Sequence, residues 1–92
     1  MFVTIRKYSG CTDVVELMRV VRRDLIPALE KIKGFHSYTA VKCGDHSIVS
    51  ISMFETEEAA AASNVAAREA VKAGMGKLLP NPPEITVGHV LE

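Results

Sequence analysis

The sequence predicts an α+β domain of four strands and two helices in the order βαββαβ. Three observations carry this. The hydrophobic period switches repeatedly between about two and about 3.6 residues, Gly and Pro fall at the switches, and a Gly-Asp pair divides the middle strands into a hairpin. The 92 residues suit one domain, residues 1–92, long enough to bury about 60 to 65% of the unfolded surface.

Phe2 to Tyr8 alternates, is rich in β-branched and aromatic residues, and stops at Ser9-Gly10, which defines the first strand. From Val14 the apolar residues Leu17, Met18, Val21, Leu25, Ala28, Leu29 and Ile32 form the stripe of an amphipathic helix, with Arg19, Arg22, Arg23 and Lys31 off it. Asp13 and Glu16 fit a capping box, Gly34 supplies the stop, and Pro27 predicts a kink by removing a bond to the carbonyl of Arg23. Phe35 to Cys43 and His46 to Phe54 read as the next strands, joined by Gly44-Asp45. A two-residue turn pairs Val41 with Ile48, Thr39 with Ser50, Ser37 with Ser52 and Phe35 with Phe54. Thr56 opens an Ala-rich helix from Glu57 to about Ala73, ended by Gly74 and Gly76. Leu78 and Leu79 offer an anchor, Pro80-Asn81-Pro82-Pro83 forces an extended connection, and Glu84 to Leu91 is the last strand.

This order is the split βαβ arrangement of a ferredoxin-like fold, a four-stranded antiparallel sheet with both helices on one face. The other face needs a cover. The more apolar set, Val3, Ile5, Tyr38, Ala40, Val49, Ile51 and Met53, is expected under the helices. Phe2, Thr4, Arg6, Tyr8, Ser37, Thr39, Val41, Ile48, Ser50, Ser52 and Phe54 are then expected on the open side, while the facing of the last strand stays undecided. Four strands about 4.8 Å apart and about seven residues long give an open face of roughly 440 Å². That is within the roughly 300 to 600 Å² of the largest apolar patch on a monomer, so a partner is favoured without being required.

Eleven basic and eleven acidic side chains balance, which argues against nucleic acid or an anionic membrane as partner. There is no run of 18 apolar residues and no basic leader before an apolar stretch, so a cytoplasmic protein is expected. Cys11 and Cys43 lack paired spacing and read as reduced thiols, and His36 and His46 have no partner at metal-ligand spacing.

The opening Phe2-Val3-Thr4-Ile5-Arg6, the helix carrying Pro27 before Gly34-Phe35, the Ser-Ile-Ser at 50–52 running into Phe54-Glu55, and the strand after Pro82-Pro83 resemble the dimeric α+β barrel superfamily. Within it, the chain looks like the antibiotic-biosynthesis-monooxygenase-like domains along essentially its whole length. The resemblance implies a homodimer joined through sheet faces, with a pocket between sheet and helices or inside the barrel. It also implies a choice among cofactor-independent oxidation of aromatic polyketides, haem degradation, isomerisation and unassigned roles. Haem-degrading relatives use a Trp with an Asn and a His; this chain has no Trp, and neither Asn64 nor Asn81 lies on a strand, so no cofactor is expected.

Arg6 and Tyr8 share a strand face and can orient a phenolic or anionic molecule and stabilise negative charge on oxygen. His89 can serve as a base toward a phenol. Thr4, Ser37, Thr39, Ser50, Ser52 and Phe54 are expected to line the pocket as small or apolar spacers. Two readings follow: a cofactor-independent monooxygenase, with isomerase second, or a non-catalytic small-ligand-binding or dimerisation module.

Overall fold

The computed structural model describes residues 1–91. Strand β1 (Phe2–Tyr8) leads into a helix of three segments, α1 (Val14–Val20), a π turn (Val21–Leu25) and α2 (Ile26–Glu30). Strands β2 (Phe35–Cys43) and β3 (Ser47–Phe54) form the hairpin, followed by α3 (Glu57–Ala70), a second π turn (Val71–Met75) and β4 (Glu84–His89). The sheet order is β2-β3-β1-β4 and all neighbours are antiparallel. This is the ferredoxin-like α+β topology expected from the pattern.

Local chemistry sets the helix ends. The Asp13 carboxylate accepts from the Glu16 amide at 3.0 Å, and the Thr56 hydroxyl accepts from the Ala59 amide at 3.1 Å. Glu16 does not reach back as a capping box would; its carboxylate binds Arg19 instead. The kink expected at Pro27 takes the form of the π turn. There the Ile26 amide bonds back to the Val21 carbonyl, so Pro27 enters in the first turn of α2, where a missing N–H costs little. Gly34, at φ +94°, ends the helix in the left-handed region, and its carbonyl accepts from the Glu55 amide at 2.8 Å.

Two expectations about register and facing are corrected. The hairpin pairs Cys43 with Ser47, so its turn holds Gly44, Asp45 and His46, and Gly44 takes φ +74°. That single extra residue moves Tyr38 opposite Ser52 and Ala40 opposite Ser50, where Ser37 and Thr39 had been expected. A bulge between Phe35 and Ser37 absorbs the slip and restores the expected Phe35–Phe54 pair. On β1 and β3 the faces are the reverse of those expected. Thr4, Arg6, Tyr8, Ile48, Ser50, Ser52 and Phe54 are buried beneath the helices, while Val3, Ile5, Val49, Ile51 and Met53 stay half-exposed on the open side.

The physical reason is that the helices bring most of the apolar volume themselves. Leu17, Val20, Val21, Leu25, Leu29, Met75 and Leu79 are all buried, so the sheet can present small polar groups, provided each is hydrogen-bonded. Thr4 Oγ1 donates to the Ala60 carbonyl at 3.1 Å, and Ser63 Oγ donates to the same carbonyl at 2.6 Å. Ala59, Ala60, Ser63 and Ala67 make the buried stripe of α3 and allow it to lie close to the sheet. On β2, Tyr38 and Ala40 do lie on the helix side, and Ser37, Thr39 and Val41 on the open side, as expected.

Leu29 is fully buried in the core cluster, whereas Val15 on α1 is 84% exposed. Leu29→Ala should therefore destabilise the fold by about 3 kcal/mol, and Val15→Ala should change it by less than about 0.5 kcal/mol, as read by chemical denaturation.

Candidate functional site

Arg6 sits mid-way along β1 and points under the helices, where its exposure is 1%. One terminal guanidinium nitrogen donates to Asn64 Oδ1 at 2.9 Å and to Ser63 Oγ at 3.4 Å, and the other donates to Ser52 Oγ at 2.8 Å. The Nε–H has no acceptor. Every partner is neutral, and no carboxylate among the described residues forms an ion pair with this cation. Burial pulls the guanidinium below its ordinary value, while the phenols of Tyr8 and Tyr38 push the other way. Arg6 nevertheless stays charged at neutral pH.

The guanidinium borders a cavity of about 360 Å³, a size within the range of small-molecule sites. Its walls are Arg6, Tyr8 and Ile85 from the sheet, Asn64, Ala67 and Arg68 from α3, Val71 and Lys72 from the second π turn, and residues 79–83 of the proline-rich connection. Position 10 must be glycine for that connection to close. Gly10 has φ +78°, and a Cβ there would come within 2.8 Å of Asn81 Nδ2. The same amide donates to Ser9 Oγ at 3.2 Å, tying the connection to the end of β1. Asn64 gives its side-chain oxygen to Arg6, which leaves its amide nitrogen as a donor, and both Asn64 and Tyr8 line the cavity. The floor is thus rich in donors, and the walls are mostly apolar.

A second void of about 20 Å³ lies deeper, lined by Tyr8, Tyr38, Ser50 and apolar residues of the helices. Ser50 Oγ is buried there without a partner at hydrogen-bonding geometry, although the Tyr38 phenol is its polar neighbour. Tyr8 and Tyr38 are both raised above the ordinary tyrosine value, first by burial, with Arg6 opposing. They remain protonated donors at physiological pH.

The residues singled out from sequence fall in three groups. Arg6 and Tyr8 come together on the cavity wall, with Ser52 holding the guanidinium from behind and Ser50 in the deeper void. Thr4 and Phe54 are fully buried structural contacts, Thr4 on the Ala60 carbonyl and Phe54 edge-on to Phe35 at 5.7 Å. Ser37 and Thr39 lie on the opposite face, and His89 stacks on Phe2 at 4.5 Å. His89 pairs with Phe2 and Ile85 with Arg6, which puts the imidazole four residues, about 13 Å, along the sheet from the guanidinium. Sequence reasoning did not select Asn64, Arg68 or Lys72. Their spacing of four, beside the buried stripe of Ala60, Ser63 and Ala67, was the available signal.

No protein-family sequence model matches the chain, and no curated protein matches it. Solved structures do. SnoaB, a cofactor-independent oxygenase from Streptomyces nogalater, aligns at TM-score 0.77 and 15% identity over 99% of this chain and 93% of that one. The monooxygenase from the gene ActVA-Orf6 of Streptomyces coelicolor, in complex with the ligand nanaomycin D, aligns at 0.71 and 20% identity over 99% and 91%. NE2512 of Nitrosomonas europaea, a protein of unknown function, aligns at 0.77 and 20% over 99% and 89%. The chain shares the ferredoxin-like α+β fold of these proteins. At these identities the likeness speaks to the fold alone. Among the described residues no helix is long and apolar enough to cross a membrane.

The tyrosine environment gives a pH prediction. A phenol whose folded value is raised binds its proton more tightly when folded, so its stabilising contribution is present below about pH 10 and is lost as pH rises from there through the folded value. The chain has two tyrosines, so ultraviolet titration of the folded protein should show both ionising above pH 10, with unfolding stability falling over the same interval.

Proposed function

We propose that this chain is a homodimeric cytoplasmic enzyme that oxidises a small phenolic aromatic molecule with dioxygen and without a cofactor. The observation that carries the reading is the buried Arg6 guanidinium, with neutral partners only, on the wall of a largely apolar cavity. A phenol seated there gains a charge-assisted hydrogen bond when it ionises, and the low-dielectric surroundings strengthen that attraction. Ionisation spreads electron density onto the ring carbon para to the oxygen. That carbon forms a bond to dioxygen, and the distal oxygen takes a proton. The ring carbon loses its proton as the O–O bond breaks, and that proton leaves with the distal oxygen as water, so phenol plus dioxygen gives quinone plus water. Arg6, with the free amide of Asn64 and the Tyr8 hydroxyl, holds the oxyanion, and the apolar walls exclude bulk water.

A binding module is the second reading, favoured by one feature. Among the described residues no His, Asp or Glu lines the cavity, so no side chain there is a ready general base and the ligand must enter already prone to ionise. Oxygen uptake with a panel of reduced polycyclic phenols separates the two. The enzyme reading expects uptake with at least one phenol, reduced about a hundredfold or more in Arg6→Met. Tight binding without uptake across the panel selects the carrier. Arg6→Met removes the cost of a buried cation but leaves the Ser52 and Asn64 oxygens it served without their donor, so the two effects should largely offset and stability should fall by no more than about 3 kcal/mol, leaving the protein folded. A large loss of stability would make Arg6 a structural residue instead.

Homodimerisation follows from the corrected faces. Val3, Ile5, Val41, Val49, Ile51 and Met53 form an apolar open face, which two copies can bury against each other. Sedimentation at micromolar concentration should give twice the chain mass, and Ile51→Lys, a change outside the core, should give a folded monomer. A monomeric wild type would remove the sheet-face dimer.

A further inference from the structure

Resting on the reading of the Arg6 cavity as a phenol site, we propose that its ligand carries a second negative group, a carboxylate, which meets Arg68 and Lys72 at the rim. Three cations line the cavity, Arg6 at the floor and Arg68 and Lys72 on the helix side, and no carboxylate is among its lining residues. Arg68 and Lys72 are exposed and form no ion pair with any described residue. Arg19 and Arg23 each bind a carboxylate on their own helix, whereas Arg22, exposed but away from the cavity, also has no carboxylate partner among the described residues, so it is the place of Arg68 and Lys72 on the cavity lining that sets them apart.

The spacing sets the ligand's shape. Asn64, Arg68 and Lys72 follow one another at intervals of four, so they form one stripe rising about 6 Å per step along the helix. Asn64 is tied to the Arg6 guanidinium at 2.9 Å, which anchors the phenol end at the base of that stripe. The second charge then lies about 6 to 12 Å further along the helix axis. The lining also includes Leu79 and the rigid rings of Pro80, Pro82 and Pro83, on a connection tied to β1 by the Asn81–Ser9 contact. A slot with one flat, stiff apolar wall and cations at both ends suits a fused aromatic acid whose hydroxyl and carboxylate sit at opposite ends. A phenol with its acid group on the adjacent carbon would leave the rim unused.

The test compares 6-hydroxy-2-naphthoate with 2-naphthol, which lacks the carboxylate, by fluorescence quenching under nitrogen at low salt. The wild type should bind the acid about fivefold or more tightly than the naphthol, with the preference shrinking as salt is added. The double variant Arg68→Gln, Lys72→Gln should erase the preference, leave 2-naphthol affinity unchanged and unfold at the same denaturant concentration as the wild type. Equal affinities in the wild type, a preference that survives the double variant, or no binding of either probe at millimolar concentration would each overturn the proposal. Oxygen uptake is measured separately. A rim-dependent carboxylate preference without uptake keeps this inference and removes the oxygenase reading; uptake confined to uncharged phenols, bound no more weakly than the acid, does the reverse.

Discussion

One buried cation organises this domain. Taking a guanidinium out of water costs several kcal/mol even after relaxation, and among the described residues no carboxylate offsets it. What offsets it is a set of neutral acceptors on two different elements, Ser52 on β3 and Ser63 and Asn64 on α3. That arrangement requires α3 to lie close to the sheet, which its buried stripe of alanines and Ser63 permits. It also requires an acceptor on β3, which is why Ser52 is inside, while Thr4 is held separately by the Ala60 carbonyl. The guanidinium lines the cavity with its Nε–H buried and without an acceptor.

The two faces of the sheet divide the work accordingly. The covered face combines an aliphatic core, supplied mainly by the helices, with a polar patch around Arg6. The open face is apolar but only half-exposed per residue, a pattern that suits contact with a second sheet better than contact with water. The proline-rich connection completes the cavity and adds one residue to the core: Leu79 is buried, Pro80 and Asn81 are exposed, and the Ser9–Asn81 contact fixes its path.

Element order and type were legible because the period switches at Gly10, Gly34, Gly44 and residues 74–83 are sharp. Facing was not, for two separate reasons. Gly44-Asp45 suggested a two-residue turn, but the chain uses His46 as a third, and period-two geometry turns a shift of one residue into a change of face. Counting apolar residues then favoured Val3, Ile5, Val49 and Ile51 for the covered side. Such counting sees neither the apolar volume contributed by the helices nor the hydrogen bonds that let Thr4 and Arg6 be buried. Arg6 and Tyr8 were selected for their shared face and chemistry, and they do stand together on the cavity wall. Their helical neighbours Asn64, Arg68 and Lys72 were missed, because reading α3 as an Ala-rich packing helix hid the polar stripe beside its buried one.

The proposed role of Arg6, holding an oxyanion, is measured directly by the ionisation of a bound naphthol. Burial alone would raise the pKa of a phenol; a guanidinium lacking a carboxylate partner should overcome this and lower it. Absorbance titration of 2-naphthol bound to the wild type should therefore show ionisation at lower pH than in free solution, and in Arg6→Met at higher pH. A bound naphthol that ionises at or above its solution value in the wild type would contradict this role for Arg6.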